Sequence, residues 1–278
     1  MSGDGEIQGR VEVDGLRIVF RRKGNGPPVV FLHGYVGDGS RTWRRQIEDL
    51  SDEFTVVAWD APGSGLSSDP PESFRLPDYA DCFAGFVDAL GLGRVHLVGL
   101  SFGGGLALEI HRRHPTVSKS LVLASAYAGW AGSLPSEVVE ERLQQVLQLA
   151  DLPSEQFARA VMPTMFSASA PTNLVDGFAA SVSEFHPVGL RVMALSFAEA
   201  DLRAALPLVD VPTLLLYGDA DVRAPLSVAE AIHAGIATSR LVVLPGVGHV
   251  SNIEAPERFN AELRAFFRWV EGWAGSAC

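Results

Sequence analysis

Ser101 stands in Gly99-Leu100-Ser101-Phe102-Gly103, where the apolar run Val95 to Leu100 passes into a segment of helical character. G-x-S-x-G at a strand-to-helix junction is a nucleophile elbow. The turn holds the serine in strained φ/ψ and brings backbones together, so Gly99 and Gly103 can carry no side chains. A helix starting at Phe102 aims that residue's amide, and the positive end of its dipole, at an oxyanion formed beside Ser101. Gly103, Gly104 and Gly105 each cost about 1 kcal/mol of helix propensity relative to alanine. They therefore predict close packing that excludes side chains. Serine is a weak nucleophile that needs a base within reach, and the base needs a carboxylate to orient it. His249 follows Pro245-Gly246-Val247-Gly248, and Asp221 closes Gly218-Asp219-Ala220-Asp221, with Asp219 two residues before it. The chemistry such a set supports is acyl transfer.

The elements around these residues alternate between strand and helix. Ile7 to Val13 and Leu16 to Lys23 are β-rich and joined at Asp14-Gly15, a hairpin signal. Val29 to Leu32 is almost wholly apolar, as in a strand buried on both faces of a parallel sheet, and ends in His33-Gly34-Tyr35. A helix near Thr42 to Leu50, a strand at Phe54 to Trp59, and a turn-rich loop from Asp60 to Ser67 follow. Next come a helix from Leu76 to Leu90, the elbow, and a strand from Ser120 to Ala124. Residues 127–206 read as helix after helix, with Pro135, Pro153, Pro171 and Pro187 where helices could begin. The strand and helix rhythm then resumes at Thr213 to Tyr217, Leu226 to Gly235, Arg240 to Leu244 and Ala255 to Val270. The fold class is therefore α/β: a mostly parallel central sheet flanked by helices, its core formed by residues 1–126 and 207–278, with 127–206 as an inserted helical lid. In such sheets ligands bind at the carboxyl ends of the strands. Ser101, Asp221 and His249 each fall just past one.

Composition narrows the partners. The 22 basic and 33 acidic side chains give a net charge of −11, with no basic run, which argues against nucleic acid and anionic membrane. Cys82 and Cys278 cannot supply a disulfide framework, the first residues lack a leader-like pattern, and no apolar run reaches spanning length. These readings lead us to expect a cytoplasmic protein, monomer or homodimer, acting on a small molecule. Metal-ligand spacings such as C-x-x-C and H-E-x-x-H are absent, as is a P-loop, so we expect no metal and no organic cofactor.

Over nearly its whole length the sequence resembles the α/β-hydrolase fold superfamily. The resemblance rests on His33-Gly34-Tyr35, Gly99-Leu100-Ser101-Phe102-Gly103, Gly218-Asp219-Ala220-Asp221 and Gly246-Val247-Gly248-His249, in that order on matching elements. It implies Ser101 as nucleophile, His249 as base, Asp221 rather than Asp219 as orienting acid, and backbone N–H groups of Tyr35 and Phe102 as oxyanion hole. His33 would hold the oxyanion loop through hydrogen bonds, and the remaining histidines would be surface or satisfied interior groups. Gly34, Trp130, Met162, Arg191, Val222 and Val250 are expected around the substrate, Arg191 or Arg159 as a lid arginine for a carboxylate. A serine at the elbow excludes the dehalogenase and epoxide hydrolase readings, which need aspartate. The expected substrate is a carboxylic ester or lactone. Alternatives are a carbon–carbon bond hydrolase acting on a ring-fission diketone, a cofactor-free perhydrolase or haloperoxidase, and a non-catalytic ligand-binding module on the same fold.

Overall fold

A computed structural model describes residues 5–182 and 184–272. Cys278 lies outside the described residues, and Cys82 is a buried thiol. The chain opens with the hairpin expected at Asp14-Gly15. β1 (Ile7–Val13) pairs antiparallel with β2 (Leu16–Lys23), and Asp14 takes the left-handed backbone that the turn requires, with φ of 48°. β3 (Pro28–Leu32), β4 (Thr55–Trp59), β5 (Val95–Leu100), β6 (Ser118–Ala124), β7 (Thr213–Gly218) and β8 (Ser239–Leu244) complete one sheet of order β1-β2-β4-β3-β5-β6-β7-β8. β2 meets β4 antiparallel, and every pairing from β4 to β8 is parallel. β4, β5 and β7 are buried along their whole length, which explains their largely apolar sequences: with both faces covered there is no polar side to alternate with.

The covering helices are α1 (Gly39–Thr42), α2 (Arg44–Leu50), α3 (Leu76–Ala89), α4 (Phe102–Arg113), α5 (Ser136–Leu149), α6 (Ser154–Val161), α7 (Thr172–Val182), α8 (Pro187–Glu199), α9 (Leu226–Gly235), α10 (Ser251–Glu254) and α11 (Pro256–Val270). α3 lays Phe83 and Phe86 on Trp59 of β4, with ring centroids 5.1 and 5.7 Å apart, and α11 brings Phe267 to Phe54 at 5.4 Å. Helices α5 to α8 all fall between β6 and β7, each starting at or one residue after one of the four prolines singled out above. Proline suits that place because its fixed φ matches the helix and its missing N–H is one that a helix start leaves unpaired anyway.

One helix differs from expectation. The segment near Thr42 to Leu50 is broken at Trp43, whose backbone (φ −110°, ψ 14°) leaves the helical region. The indole is fully buried against Phe31 and Phe259, at 4.8 and 6.2 Å. A one-residue kink is what delivers it there from a chain whose first turn is capped by Asp38, which accepts from the Arg41 N–H at 2.8 Å.

The strand order brings the chemistry-bearing loops together in pairs. Leu32 of β3 is in register with Gly99 of β5, so the loop His33-Gly34-Tyr35 emerges beside Ser101. Gly218 of β7 is in register with Leu244 of β8, so the turns carrying Asp221 and His249 emerge side by side.

Candidate active site

Ser101 sits between β5 and α4 with φ 53° and ψ −112°, a conformation that L-residues avoid unless the surroundings enforce it. The surroundings do. Ser101 N–H donates to Ala124 O at 2.9 Å, tying the turn to β6. A Cβ placed on Gly99 would strike the Gly103 carbonyl, and one on Gly103 would strike the Leu32 carbonyl. The glycines are thus the condition for bringing strand, turn and helix into one tight corner, and the close packing expected of residues 103–105 is present. Gly104 abuts Ala126, and Gly105 abuts the Phe197 ring. Phe102 opens α4, so its amide lies at the helix N-terminus beside the serine. A Cβ on Gly34 would lie 3.8 Å from the Ser101 Cβ, which places the Gly34-Tyr35 loop against Ser101.

His33 fixes that loop from below. Its Nε2 accepts from the Ala61 N–H at 3.0 Å, which leaves the proton on Nδ1 to donate to Gly34 O at 2.6 Å. Burial pushes this imidazole below its ordinary pKa, favouring the neutral tautomer that both bonds need.

His249 Nδ1 lies 2.9 Å from Asp221 Oδ2. A carboxylate only accepts, so Nδ1 carries the proton and Nε2 is left with its lone pair free to take one. Burial works to raise the Asp221 carboxyl, but the facing His249 and the Ala224 N–H outweigh it and hold the group below the usual carboxylate range. The other oxygen, Oδ1, accepts from Arg223 N and Ala224 N, both at 2.9 Å. Asp219 turns elsewhere: its Oδ1 accepts from Gly246 N–H at 2.6 Å, bracing the turn that carries the histidine. Ser101, Asp221 and His249 are 4, 5 and 3 % exposed, so whatever forms there is shielded from bulk water. The remaining histidines are engaged away from it: His96 with Ser120 and Glu271, His111 with Ser118, His114 with Asp81, His186 with Asp69, and His233 with Ser239.

The expected surrounding residues divide. Trp130 is buried with its ring 5.9 Å from Tyr35 in an edge-to-face pair, and Met162 is buried at the end of α6. Val250 is buried beside His249 and donates its N–H to Met165 O at 3.1 Å. Two expectations need correction. Val222 points outward, 70 % exposed, because the turn that directs Asp221 and Ala224 inward leaves this residue facing solvent. Arg191 on α8 is spent on Asp151 in a part-exposed ion pair, and Arg159 on Glu155 within α6, so neither arginine is held free for a substrate.

Further residues complete the seam between the sheet and α5 to α8. Glu254 accepts from Gly248 N at 2.9 Å and Ser167 N at 3.1 Å, fastening the histidine turn to the helical segment. Arg223 reaches Tyr35 OH and Thr164 Oγ1, and Arg142 reaches Tyr127 OH at 2.9 Å. Arg223 could have been noticed as the cation two residues after Asp221. Arg142 lies among the polar positions of an ordinary amphipathic helix and left no signal.

A family model described as the alpha/beta hydrolase family matches residues 29–262. The chain belongs to that family. It is 30% identical to 2-(acetamidomethylene)succinate hydrolase of Mesorhizobium japonicum over 92% of this chain and 94% of that one. It is also 30% identical to an uncharacterized protein of Mycobacterium bovis, over 93% of this chain and 80% of the relative. Among solved structures, a thermophilic esterase from Thermogutta terrifontis superposes with a TM-score of 0.85 at 28% identity, covering 96% of this chain and 99% of the other. Among the described residues, no helix of this α/β hydrolase is long and apolar enough to cross a membrane.

Proposed function

We propose that this α/β hydrolase is a serine hydrolase that cleaves a small-molecule carboxylic ester or lactone through an acyl-enzyme, with α5 to α8 as a lid over the site. The observation that carries the reading is the buried 2.9 Å His249–Asp221 pair on the turns after β7 and β8, with Ser101 held in left-handed backbone on the turn after β5 of the same sheet. His249 Nε2 takes the Ser101 proton as Oγ attacks the carbonyl, and the negative charge moves to the carbonyl oxygen. The amides of Tyr35 and Phe102 receive that charge, and losing one such donor typically costs about 2.7–4 kcal/mol of barrier. Collapse of the tetrahedral species breaks the carbon–oxygen bond, and the leaving alkoxide takes its proton from His249. A water deprotonated by the same histidine then attacks the acyl carbon and releases the acid, returning the proton to Ser101.

The esterase likeness supports the ester side of the reading. The lid arginines expected to serve the carbon–carbon bond alternative, Arg191 and Arg159, pair with Asp151 and Glu155. An active-site-directed fluorophosphonate followed by intact mass tests the proposal: we expect one adduct on the wild type and none on Ser101→Ala. Absence of an adduct on the wild type, together with no turnover of p-nitrophenyl esters or lactones, would sink it.

A further inference from the structure

Two arginines beside the candidate site carry no ion pair among the described residues, although the chain has a net charge of −11 and thirteen of its other arginines sit on carboxylates. Arg223 leaves the turn that bears Asp221 and reaches two neutral partners, Tyr35 OH and Thr164 Oγ1, the latter at 2.8 Å. Its Cζ is 5.8 Å from the Tyr35 ring centroid. Arg142 comes from α5 on the other side of the seam, bonds Tyr127 OH at 2.9 Å and the Arg223 carbonyl at 3.3 Å, and lies 5.4 Å from the Trp130 ring. Neutral oxygens and aromatic faces orient a guanidinium but do not neutralise it, and each group keeps more N–H donors than these bonds use. The two cations therefore converge on the aromatic wall of Tyr35, Tyr127 and Trp130, whose first member belongs to the oxyanion loop, with their charge uncompensated. Leaving two partly buried cations unpaired is costly unless a ligand supplies the anion.

We propose that Arg142 and Arg223 form a carboxylate subsite, and that the natural substrate is an ester or lactone carrying a carboxylate remote from the bond cleaved. This rests on the serine-hydrolase reading for the word substrate, whereas the anion site itself does not. The arginines hold the acid group and so fix which end of the molecule faces Ser101. They touch neither the attacking oxygen nor the oxyanion.

A matched pair of acetyl esters isolates the carboxylate: 4-acetoxybenzoate and its methyl ester share the scissile bond and differ in one charge. The wild type should prefer the acid by about ten- to a hundredfold in kcat/KM, the worth of one or two charge-assisted hydrogen bonds. Arg223→Gln and Arg142→Gln should each erode the preference, chiefly through KM for the acid. The lysine variants, which keep the charge but lose the planar fork, should retain part of it. Exposed Arg240→Gln, on β8 and paired with Glu262 of α11, should leave both rates as they are. Titration of 4-hydroxybenzoate into Ser101→Ala, with and without the arginine changes, reads the subsite without turnover. It separates failure of the anion site from failure of the hydrolase reading, which the fluorophosphonate reports. Equal rates on the two esters, or glutamine variants that lose both in proportion, would show the arginines to be a lid-to-core brace and overturn the proposal.

Discussion

At the residue scale, the two oxygens of Asp221 have separate tasks. Oδ1 is held by two backbone N–H groups, and Oδ2 faces the His249 Nδ1 proton. Asparagine could keep the first arrangement with its own carbonyl oxygen, but would then present an NH2 group to Nδ1. The imidazole would have to move its proton to Nε2, where it can no longer accept from Ser101. Asp221→Asn should therefore fold like the wild type yet lose about 10⁴-fold in kcat, the size seen where a triad acid is replaced in this way. Thermal melting and steady-state kinetics on p-nitrophenyl acetate check both halves. Asp219→Asn, which touches only the Gly246 amide, should reduce kcat far less. A reversal of that ranking would assign the orienting role to Asp219 instead. The choice between the two was not available from their spacing, since either could reach a histidine from the same turn. What separates them is the direction each side chain leaves the backbone.

At the element scale, the corner between β5 and α4 depends on the absence of side chains. A methyl group at Gly103 would meet the Leu32 and His33 carbonyl oxygens, which belong to a sheet strand and the loop after it and cannot rotate away as a side chain could. Gly103→Ala should cost about 3 kcal/mol, the upper range for overpacking. In urea unfolding it should lower the midpoint with the slope unchanged. A loss below the scatter of the measurement would mean that the corner is looser than its geometry. The glycines, the strand runs and the prolines at the helix starts were legible in the sequence because each reports a local backbone demand. The break at Trp43 and the seam made by Arg142, Arg223, Thr164 and Glu254 were not. Trp43 answers to Phe259, more than two hundred residues away, and the seam joins turns after β7 and β8 to helices between β6 and β7. Contacts at that separation leave no periodicity for a sequence reading to find.

At the scale of the whole molecule, buried titratable groups on different parts of the sheet couple stability to pH with opposite signs. His96 on β5 is closed off between Ser120 and Glu271, which follows α11, and burial pushes its pKa down to about 4. The unfolded chain then takes up a proton that the folded one refuses, so the contribution of His96 is whole above its ordinary value near 6.5 and is lost as pH falls toward 4. Burial lowers His33 and His111 in the same sense. Asp60, after β4, goes the other way: burial, then the nearby Asp38, raise it from 3.8 to about 6 while it accepts from Gly39 and Leu66 N–H groups. Its folded state holds the proton more tightly, so its contribution is whole below 3.8 and is lost as pH rises through 6. With three histidines against one aspartate, unfolding free energy in urea should rise between pH 4 and 6.5. His96→Gln should flatten that rise by about 3 kcal/mol, and Asp60→Asn should steepen it by about the same amount, as shifts of this size imply. The signs distinguish linkage from simple damage, because both variants should be weaker than the wild type while their pH slopes diverge. Parallel profiles for all three proteins would show that neither group titrates differently in the folded state.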